Sequence, residues 1–228
     1  MKRFVSILVL ALLVLALACS KDEPTKPKSG PPELPQPVLL TGPGTKAPAK
    51  ITGTINSFNA YMNSTQSYLQ MIAQISPSGS DGTYTWSAVF EGATLTVKSV
   101  LESDGSISWY VIIDGKTSDG TQYNNWTAVR GTISADGNYQ EWYIYEPNST
   151  TASVKMTWKK DKNNNVTSVL EYPATNDKLQ VVNNSDGSGS YTEYISGVKR
   201  YEAIWNADGS GTYKEWDANG QLVQEGSW

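Results

Sequence analysis

The feature that most limits the fold of this chain is a series of tight-turn signals from residue 81 onward. Asp-Gly pairs occur at 81–82, 104–105, 114–115, 119–120, 136–137, 186–187 and 208–209, and an Asn-Gly pair occurs at 219–220. Such pairs supply the positive φ angles that tight hairpin turns require. Short segments rich in Thr, Val, Ile, Tyr and Trp lie between them. The series therefore predicts consecutive β-hairpins.

Apolar and polar residues alternate within these segments. Val154, Met156 and Trp158 alternate with Lys155 and Thr157, and a period of two indicates antiparallel strands with one buried face. The predicted fold class is mainly β, an antiparallel meander that forms a closed barrel or a curved half-barrel. We predict about twelve strands, near 83–90, 93–101, 106–113, 121–133, 138–146, 151–160, 165–172, 178–183, 189–195, 198–206, 211–217 and 221–227. The run 121–133 is long enough to contain a bend or bulge at Gly131.

One N-terminal helix is predicted over residues 54–75. Its apolar positions follow one another at steps of three and four, which places them on one face: Ile55, Phe58, Met62, Thr65, Leu69 and Ile72. Thr54 is the expected N-cap, and Pro77 ends the segment. We expect this helix to pack on the sheet and cover its apolar face. A lid or plug over a ligand cavity is the alternative.

The sequence contains an internal repeat. Residues 186–194 match residues 208–216 at an offset of 22, and residues 136–142 are a shorter copy. Each copy is expected to form one hairpin of the meander. The segment 213–228 is also similar to MORN-like hairpin repeats in the spacing of its aromatic, Asn-Gly and Glu-Gly positions. That resemblance implies hairpin geometry and carries no particular function.

The N-terminus has the order of a secretory signal peptide. Lys2 and Arg3 precede fifteen residues, 4–18, that are apolar except for Ser6 and end in small side chains. As a helix, this run rises only about 23 Å, against roughly 30 Å for the hydrocarbon core of a bilayer. A cleaved signal peptide is therefore favoured over a transmembrane span.

The end of this run carries a family resemblance. Residues Ala16-Leu17-Ala18-Cys19 resemble the lipobox of bacterial lipoproteins, although the family pattern favours Leu where Ala16 stands. The resemblance implies cleavage before Cys19, lipidation of Cys19 and the membrane as a partner through that lipid. The next residues, Ser20–Glu23, resemble the surface-export signal of Bacteroidota lipoproteins; the start of a solvated linker is the alternative. The expected location is the outer membrane, on its periplasmic face or at the cell surface.

The chain is expected to have three parts. Residues 1–18 form the signal peptide, 19–50 the lipidated cysteine and a tether, and 51–228 a single antiparallel β domain. The tether contains eight of the eleven prolines, and Pro-rich segments act as extended, semi-rigid spacers.

The residues that are missing exclude several kinds of chemistry. The chain has no histidine, which rules out Ser-His-Asp catalysis and His-based zinc sites. Its one cysteine, Cys19, cannot form a disulfide within the chain. The net charge of −4 argues against nucleic-acid binding. An Asn-rich segment at 161–165 has calcium-loop spacing but lacks the required Gly and Glu. We expect no metal, no cofactor and no catalytic residue.

Aromatic residues are the first candidates for ligand contact. The chain has eight Trp and thirteen Tyr, which combine an apolar body with a polar group. The candidate ligand contacts are Trp109, Trp142, Trp205 and Trp216. Packing between strands is the alternative, because the tryptophans are spread over the strands rather than clustered.

Carboxylates are the second candidates. Glu141, Glu193 and Glu215 each follow a tyrosine by two positions. A pair of them on neighbouring strands would suit a glycoside hydrolase. Cross-strand pairs that face the solvent explain the recurrence better.

We therefore predict a membrane-anchored, non-enzymatic binding module for a glycan, a peptide or an envelope partner. A carrier of a hydrophobic ligand and a glycan-active hydrolase are the alternatives.

Overall fold

The computed structural model describes residues 30–35, 39–44 and 46–228. The predicted signal peptide, Cys19 and the export signal lie outside the described residues. The described chain contains the helix α1, Ala49–Ala73, and thirteen strands. These are β1 Ser78–Ser80, β2 Thr83–Phe90, β3 Ala93–Leu101, β4 Ile107–Lys116, β5 Gln122–Ile133, β6 Tyr139–Tyr145, β7 Ala152–Lys160, β8 Val166–Tyr172, β9 Asp177–Asn183, β10 Gly189–Ile195, β11 Val198–Trp205, β12 Gly211–Trp216 and β13 Leu222–Ser227.

The strands form an antiparallel meander, as predicted. There are thirteen instead of about twelve, because β1 has only three residues and no apolar side chain. It pairs with β2 through Gly79 and Tyr84. Among the described residues β1 has no neighbour other than β2, and β13 none other than β12. A closed barrel leaves no strand with a single neighbour, so this topology agrees with the open alternative.

The chain divides into two compact units. The first contains Met62–Ser153, with the second half of α1 and strands β1–β6. The second contains Leu39–Tyr61 and Val154–Trp228, with the first half of α1 and strands β7–β13. Within each unit, strands that are consecutive in sequence are neighbours in the sheet.

The core of the first unit consists of the alternating side chains of β2–β6. Trp86 and Trp109 stack with their ring centroids 5.8 Å apart, and Trp142 is 1% exposed. A bulge at Gly131 is wrong, because Gly131 is in regular register between Trp109 and Trp142. Strand β5 does contain bulges, but they lie nearer its start. A Cβ atom at this position would overlap the Trp142 ring. The glycine thus provides space for an indole.

The core of the second unit joins the first half of α1 to one face of its sheet. The buried cluster comprises Leu40, Ala47, Ile51, Ile55, Val181, Tyr191, Tyr201, Ala203 and Trp205. The side chain of Asn59 fixes the preceding segment, since its amide accepts from the Leu40 N–H and donates to the Leu40 carbonyl, both at 2.8 Å. This half of the helix therefore covers the apolar face of its own unit.

The predicted start of the helix is wrong by five residues. Helix α1 begins at Ala49, directly after Pro48, and Ile51 is fully buried one turn before Ile55. The apolar face thus extends further toward the N-terminus than the predicted stripe. Thr54 lies inside the helix and its Oγ1 donates to the Lys50 carbonyl at 2.8 Å, so it is not the N-cap. The side chains of residues 61–71 are not among those that the structure describes.

The repeated turns are built alike. The Asp186 carboxylate accepts from the Ser188 N–H at 2.9 Å and from its hydroxyl at 2.7 Å. Asp208 and Ser210 repeat both distances. These hydrogen bonds hold the pKa of both carboxyl groups below 3.8, with the serine hydroxyl as the largest cause.

A glycine–tryptophan pair follows each of these turns. Gly189 lies directly opposite Trp205, and Gly211 forms two backbone hydrogen bonds with Trp228. A Cβ on either glycine would overlap the facing indole. The indole N–H donates to the glycine carbonyl in the turn, from Trp205 to Gly187 at 3.2 Å and from Trp228 to Gly209 at 2.7 Å. The sequence repeat is therefore also a structural repeat.

Candidate functional site

A surface groove lies in the first unit, where the pairing of β5 with β6 ends. The last pair of that ladder is Val129 with Ile144, and residues 122–128 of β5 continue beyond it. The segment after β6 folds back toward them, because the Asn148 side-chain amide donates to the Gln122 carbonyl at 3.0 Å. The space between has a volume of about 550 Å³ and is lined by Tyr110, Asn124, Asn125, Trp126, Thr127, Arg130, Tyr145, Asn148, Ser149 and Thr150.

Two bulges in β5 form one wall of this groove. Ala128 is skipped in the pairing with β4, and further along Asn124 and Asn125 together face Asp114. Asn125 has a φ of 49°, a left-handed conformation that Asn tolerates better than most residues. Its N–H donates to the Asp114 carboxylate at 2.8 Å. Bulges change the direction of side chains beside them, and the groove-lining residues 124–127 lie between these two.

The Asp-Gly pair at 114–115 therefore does not form the predicted turn. It lies within β4, and Gly115 has a φ of 106° next to the bulge. The chain reverses at the following pair instead, where the Gly120 N–H donates to the Thr117 carbonyl at 2.9 Å. Only one of these two closely spaced signals can be the hairpin turn, since a strand is needed between turns.

Trp126, an aromatic residue of the groove lining, packs against a second aromatic ring. Trp126 is 4% exposed, and its ring stacks on Tyr123 at 5.2 Å with an angle of 16° between the planes. Burial is the main cause that raises the pKa of Tyr123, with the charge of Asp119 adding to it. The Trp126 Nε1–H is buried and has no acceptor among the described residues. An unsatisfied buried donor is uncommon, and this is the one such donor on a residue that lines the groove.

The charges and hydrogen-bonding groups of the lining are also distinctive. Three Asn, two Thr, one Ser, two Tyr and one Trp line the groove, together with a single charged residue, Arg130. The Arg130 guanidinium lies 6.0 Å from the centroid of the Tyr110 ring. No carboxylate is among the lining residues. The groove thus offers neutral donors and acceptors beside aromatic rings.

The four tryptophans singled out from the sequence lie elsewhere. Trp109, Trp142 and Trp205 are 1%, 1% and 2% exposed and pack inside their units. Trp216 is half-buried at the end of β12, with the Lys199 Nζ 5.2 Å from its ring centroid. None of the four lines the groove.

The groove residues that the sequence analysis missed had one usable signal. Asn124 and Asn125 form a polar pair directly before Trp126, in the middle of a run otherwise assigned to a strand. Asparagine is depleted in regular strands, so the pair marks an interruption of the ladder.

The repeated glutamates of the second unit surround a lysine of α1. The Lys50 Nζ lies 2.9 Å from Glu193 Oε2 and 3.8 Å from Glu215 Oε1, and 4.6 Å from the centroid of the Tyr201 ring. Burial is the largest cause that raises the pKa of Tyr191 and of Tyr201 to about 12. The arrangement connects the helix to β10–β12 with an ion pair above a layer of stacked tyrosines. Glu141, in the first unit, accepts from the Tyr139 hydroxyl at 3.3 Å.

A smaller groove of about 370 Å³ in the second unit is less suited to a ligand. It is lined by Glu171, Tyr172, Pro173, Asn176, Asp177, Lys178, Tyr194 and Gly197. Its main charged groups already have partners within the protein. The Asp177 carboxylate accepts from the Ser196 N–H at 2.7 Å, and the Lys178 Nζ lies 4.5 Å from the centroid of the Tyr194 ring.

No protein-family model matches the chain, and no curated protein is similar to it at a significant level.

Across the described residues, no helix combines the length and apolar character of a membrane span. The same residues contain no group of three or more Cys, Asp or Glu side chains placed to hold a metal ion.

Proposed function

We propose that this protein is a lipid-anchored, extracytoplasmic binding module that holds a saccharide in the groove of its first unit without altering it chemically. Saccharides present many hydroxyl groups and flat C–H faces. Binding sites for small molecules combine apolar or aromatic surface with a few placed polar groups, and this lining has both. The observation that carries the proposal is a groove of aromatic rings and neutral amide and hydroxyl groups.

Binding without reaction agrees with the groove chemistry. Glycoside hydrolysis generally requires two carboxyl groups roughly 5–10 Å apart, and no carboxylate is among the residues that line this groove. In the second unit, Glu193 and Glu215 lie beside the ammonium group of Lys50. Those contacts occupy both carboxylates within the protein and give them a structural role.

The lining favours a hydroxyl-rich ligand over a hydrophobic one. A carrier of a lipid-like molecule requires a cavity with an apolar lining, since buried polar groups without partners are costly. Here most lining side chains are polar, whereas the large apolar residues Trp109 and Trp142 are packed in the interior.

Binding is tested with the lipid-bearing chain in detergent on an array of immobilised oligosaccharides, followed by titration calorimetry on those that bind. Thr127→Val keeps the shape of a half-buried side chain in the groove lining and removes its hydroxyl. We expect affinity to fall about 3–10-fold, the value of a neutral hydrogen bond.

Thr157→Val is the matched control. Thr157 is also half-buried on a strand, β7, but it lies outside the groove. We expect its affinity to equal that of the wild type. Equal losses in both variants, or the absence of binding to any saccharide, would contradict the proposal.

The anchor is tested separately. Cys19 follows a signal-peptide pattern and completes a lipobox-like sequence, which supports lipidation at its sulfur and amine. Labelled palmitate should enter the wild-type protein and should not enter the Cys19→Ser variant. Equal labelling of the two proteins would exclude this anchor.

A further inference from the structure

We infer that the saccharide held in the groove carries a carboxylate, as in a hexuronic acid, and that Arg130 is the residue that recognises it. The inference rests on the proposed saccharide-binding function and adds the chemical class of the ligand. It starts from the one charged side chain in a lining that is otherwise neutral.

The position of Arg130 is fixed by its neighbours in the sheet. It lies directly opposite Tyr110 on β4 and Tyr143 on β6, so the three side chains share one face. Its guanidinium is 6.0 Å from the Tyr110 ring centroid. An arginine over an aromatic ring keeps the N–H groups at the edge of its plane free to bind a carboxylate.

In the part of the chain that the structure describes, the Arg130 guanidinium contacts an aromatic ring but has no ion-pair partner. No carboxylate of the described residues lies within ion-pair distance of it, whereas Lys50 and Lys199 are both paired with glutamates. Arg200 also has a partner, because its Nε donates to the Trp216 carbonyl at 2.8 Å. Arg130 is exposed, so its cationic group is accessible to a ligand in the groove.

Other charged side chains lie on this face of the sheet. Lys98 on β3 lies directly opposite Tyr110, two strands from Arg130, so the two backbones are about 10 Å apart at the usual strand spacing. Two carboxylates share the face by alternation, Asp114 on β4 and Glu141 on β6. Only Arg130 is a charged member of the groove lining, so the preference for an anion rests on direct contact with Arg130.

A carboxylate fits this site better than a sulfate or a phosphate. Arginine binds a planar carboxylate through two parallel N–H···O bonds, and the neutral amides and hydroxyls beside Arg130 match the ring hydroxyls of the same sugar. A doubly charged phosphate would be expected to require more than one cation in the lining.

The test uses matched pairs of oligosaccharides in which each uronic acid is compared with its carboxyl-reduced, neutral counterpart. Titration of the lipid-bearing chain in detergent should give about tenfold or greater preference for the acid, the value of a charge-assisted hydrogen bond. Arg130→Gln should lower the affinity for the acid to that for the neutral sugar and leave the neutral affinity unchanged. Lys162→Gln, which removes one exposed positive charge from the second unit, should retain the preference.

Arg130→Lys tests whether recognition of the carboxylate depends on the planar shape of the guanidinium as well as on its positive charge. It keeps the positive charge and loses the planar pair of donors, so we expect an intermediate preference. Equal binding of acid and neutral sugars by the wild type would overturn the inference and leave the proposed function standing. Stronger binding of sulfated sugars or of anionic lipid vesicles than of uronic acids would overturn it as well. Absence of binding to every saccharide would refute both proposals.

Discussion

Replacement of Gly131 by alanine tests whether glycine–tryptophan pairs keep the meander in register. Gly131 has no positive φ, so alanine adopts its backbone conformation without strain. The obstacle is the ring of Trp142 on the next strand, which a Cβ would overlap. That ring is 1% exposed, and its Nε1 donates to the Gln140 side chain at 3.0 Å. The indole therefore has no open space to move into.

The expected loss of stability follows from three contributions. Overpacking of a filled core costs about 1–3 kcal/mol. Displacement of the indole also weakens its hydrogen bond to Gln140, which contributes about 0.5–1.5 kcal/mol. Against these, alanine restricts the unfolded chain and stabilises the protein by about 0.4–1 kcal/mol. The free energy of unfolding should fall by about 1–3 kcal/mol.

Urea unfolding followed by tryptophan fluorescence measures this change. Gly53→Ala is the matched control, because Gly53 is exposed in α1 and an added Cβ meets nothing within 4 Å. That variant should gain up to about 1 kcal/mol, the difference in helix propensity. In a Trp142→Leu background, the alanine at 131 should no longer destabilise. An unfolding midpoint for Gly131→Ala at or above that of the wild type would refute this reasoning. So would an equal loss in the Trp142→Leu background.

Three further predictions concern the second unit. Burial is the main cause that raises the pKa of Tyr201 from 10.0 to about 12. The free energy of unfolding should therefore keep its full value below pH 10 and fall as the pH rises through 12. The urea midpoint of Tyr201→Phe should fall less steeply over the same range. The pKa of Asp208 is lowered in the folded protein, so the charged carboxylate stabilises the fold above pH 3.8. This stabilisation is lost as the pH falls through the pKa of the folded state. The urea midpoints of wild type and Asp208→Asn should therefore differ near neutrality and converge in acid. Lys50→Ala removes the partner of Glu193 and Glu215 and should lower the free energy of unfolding by about 0.5–1 kcal/mol, with a smaller effect at high salt because these groups are partly exposed.

The hairpins could be predicted from the sequence because the turn signal is local. The glycine of every Asp-Gly pair has a positive φ, and all of these pairs except 114–115 lie at a turn. The alternation of Val154, Met156 and Trp158 determines which side chains share a face. The burial of Trp109 could be predicted from the same alternation of side chains. It lies two positions before Val111, and both side chains are on the buried face of β4. The candidate contacts Trp109 and Trp142 therefore belonged with the core on the pattern alone.

The groove could not be predicted because it depends on how two strands fit together. The two bulges place Asn124–Thr127, and the end of the β5–β6 ladder opens the space. A bulge adds one residue to one strand and shifts the alternation of its side chains by one position, but the sequence does not show how far β6 pairs with β5 or where the next segment folds back. The helix start was missed for a simpler reason: the stripe was followed from Ile55 instead of from Ile51.

The regular pairs and the groove together indicate where function lies in this fold. A glycine faces a tryptophan across neighbouring chain segments at Gly131, Gly189 and Gly211, and a large ring over a glycine fixes the register because a shift of one residue would place a Cβ under the ring. Gly131 lies only two residues from the last regular pair of β5 with β6, at Val129. Beyond that pair the repeat gives way to bulges, an asparagine with positive φ and an indole N–H without an acceptor among the described residues. Departures from local regularity that persist in a stable fold are where binding sites are expected, and these three kinds of departure occur together in one short stretch of β5.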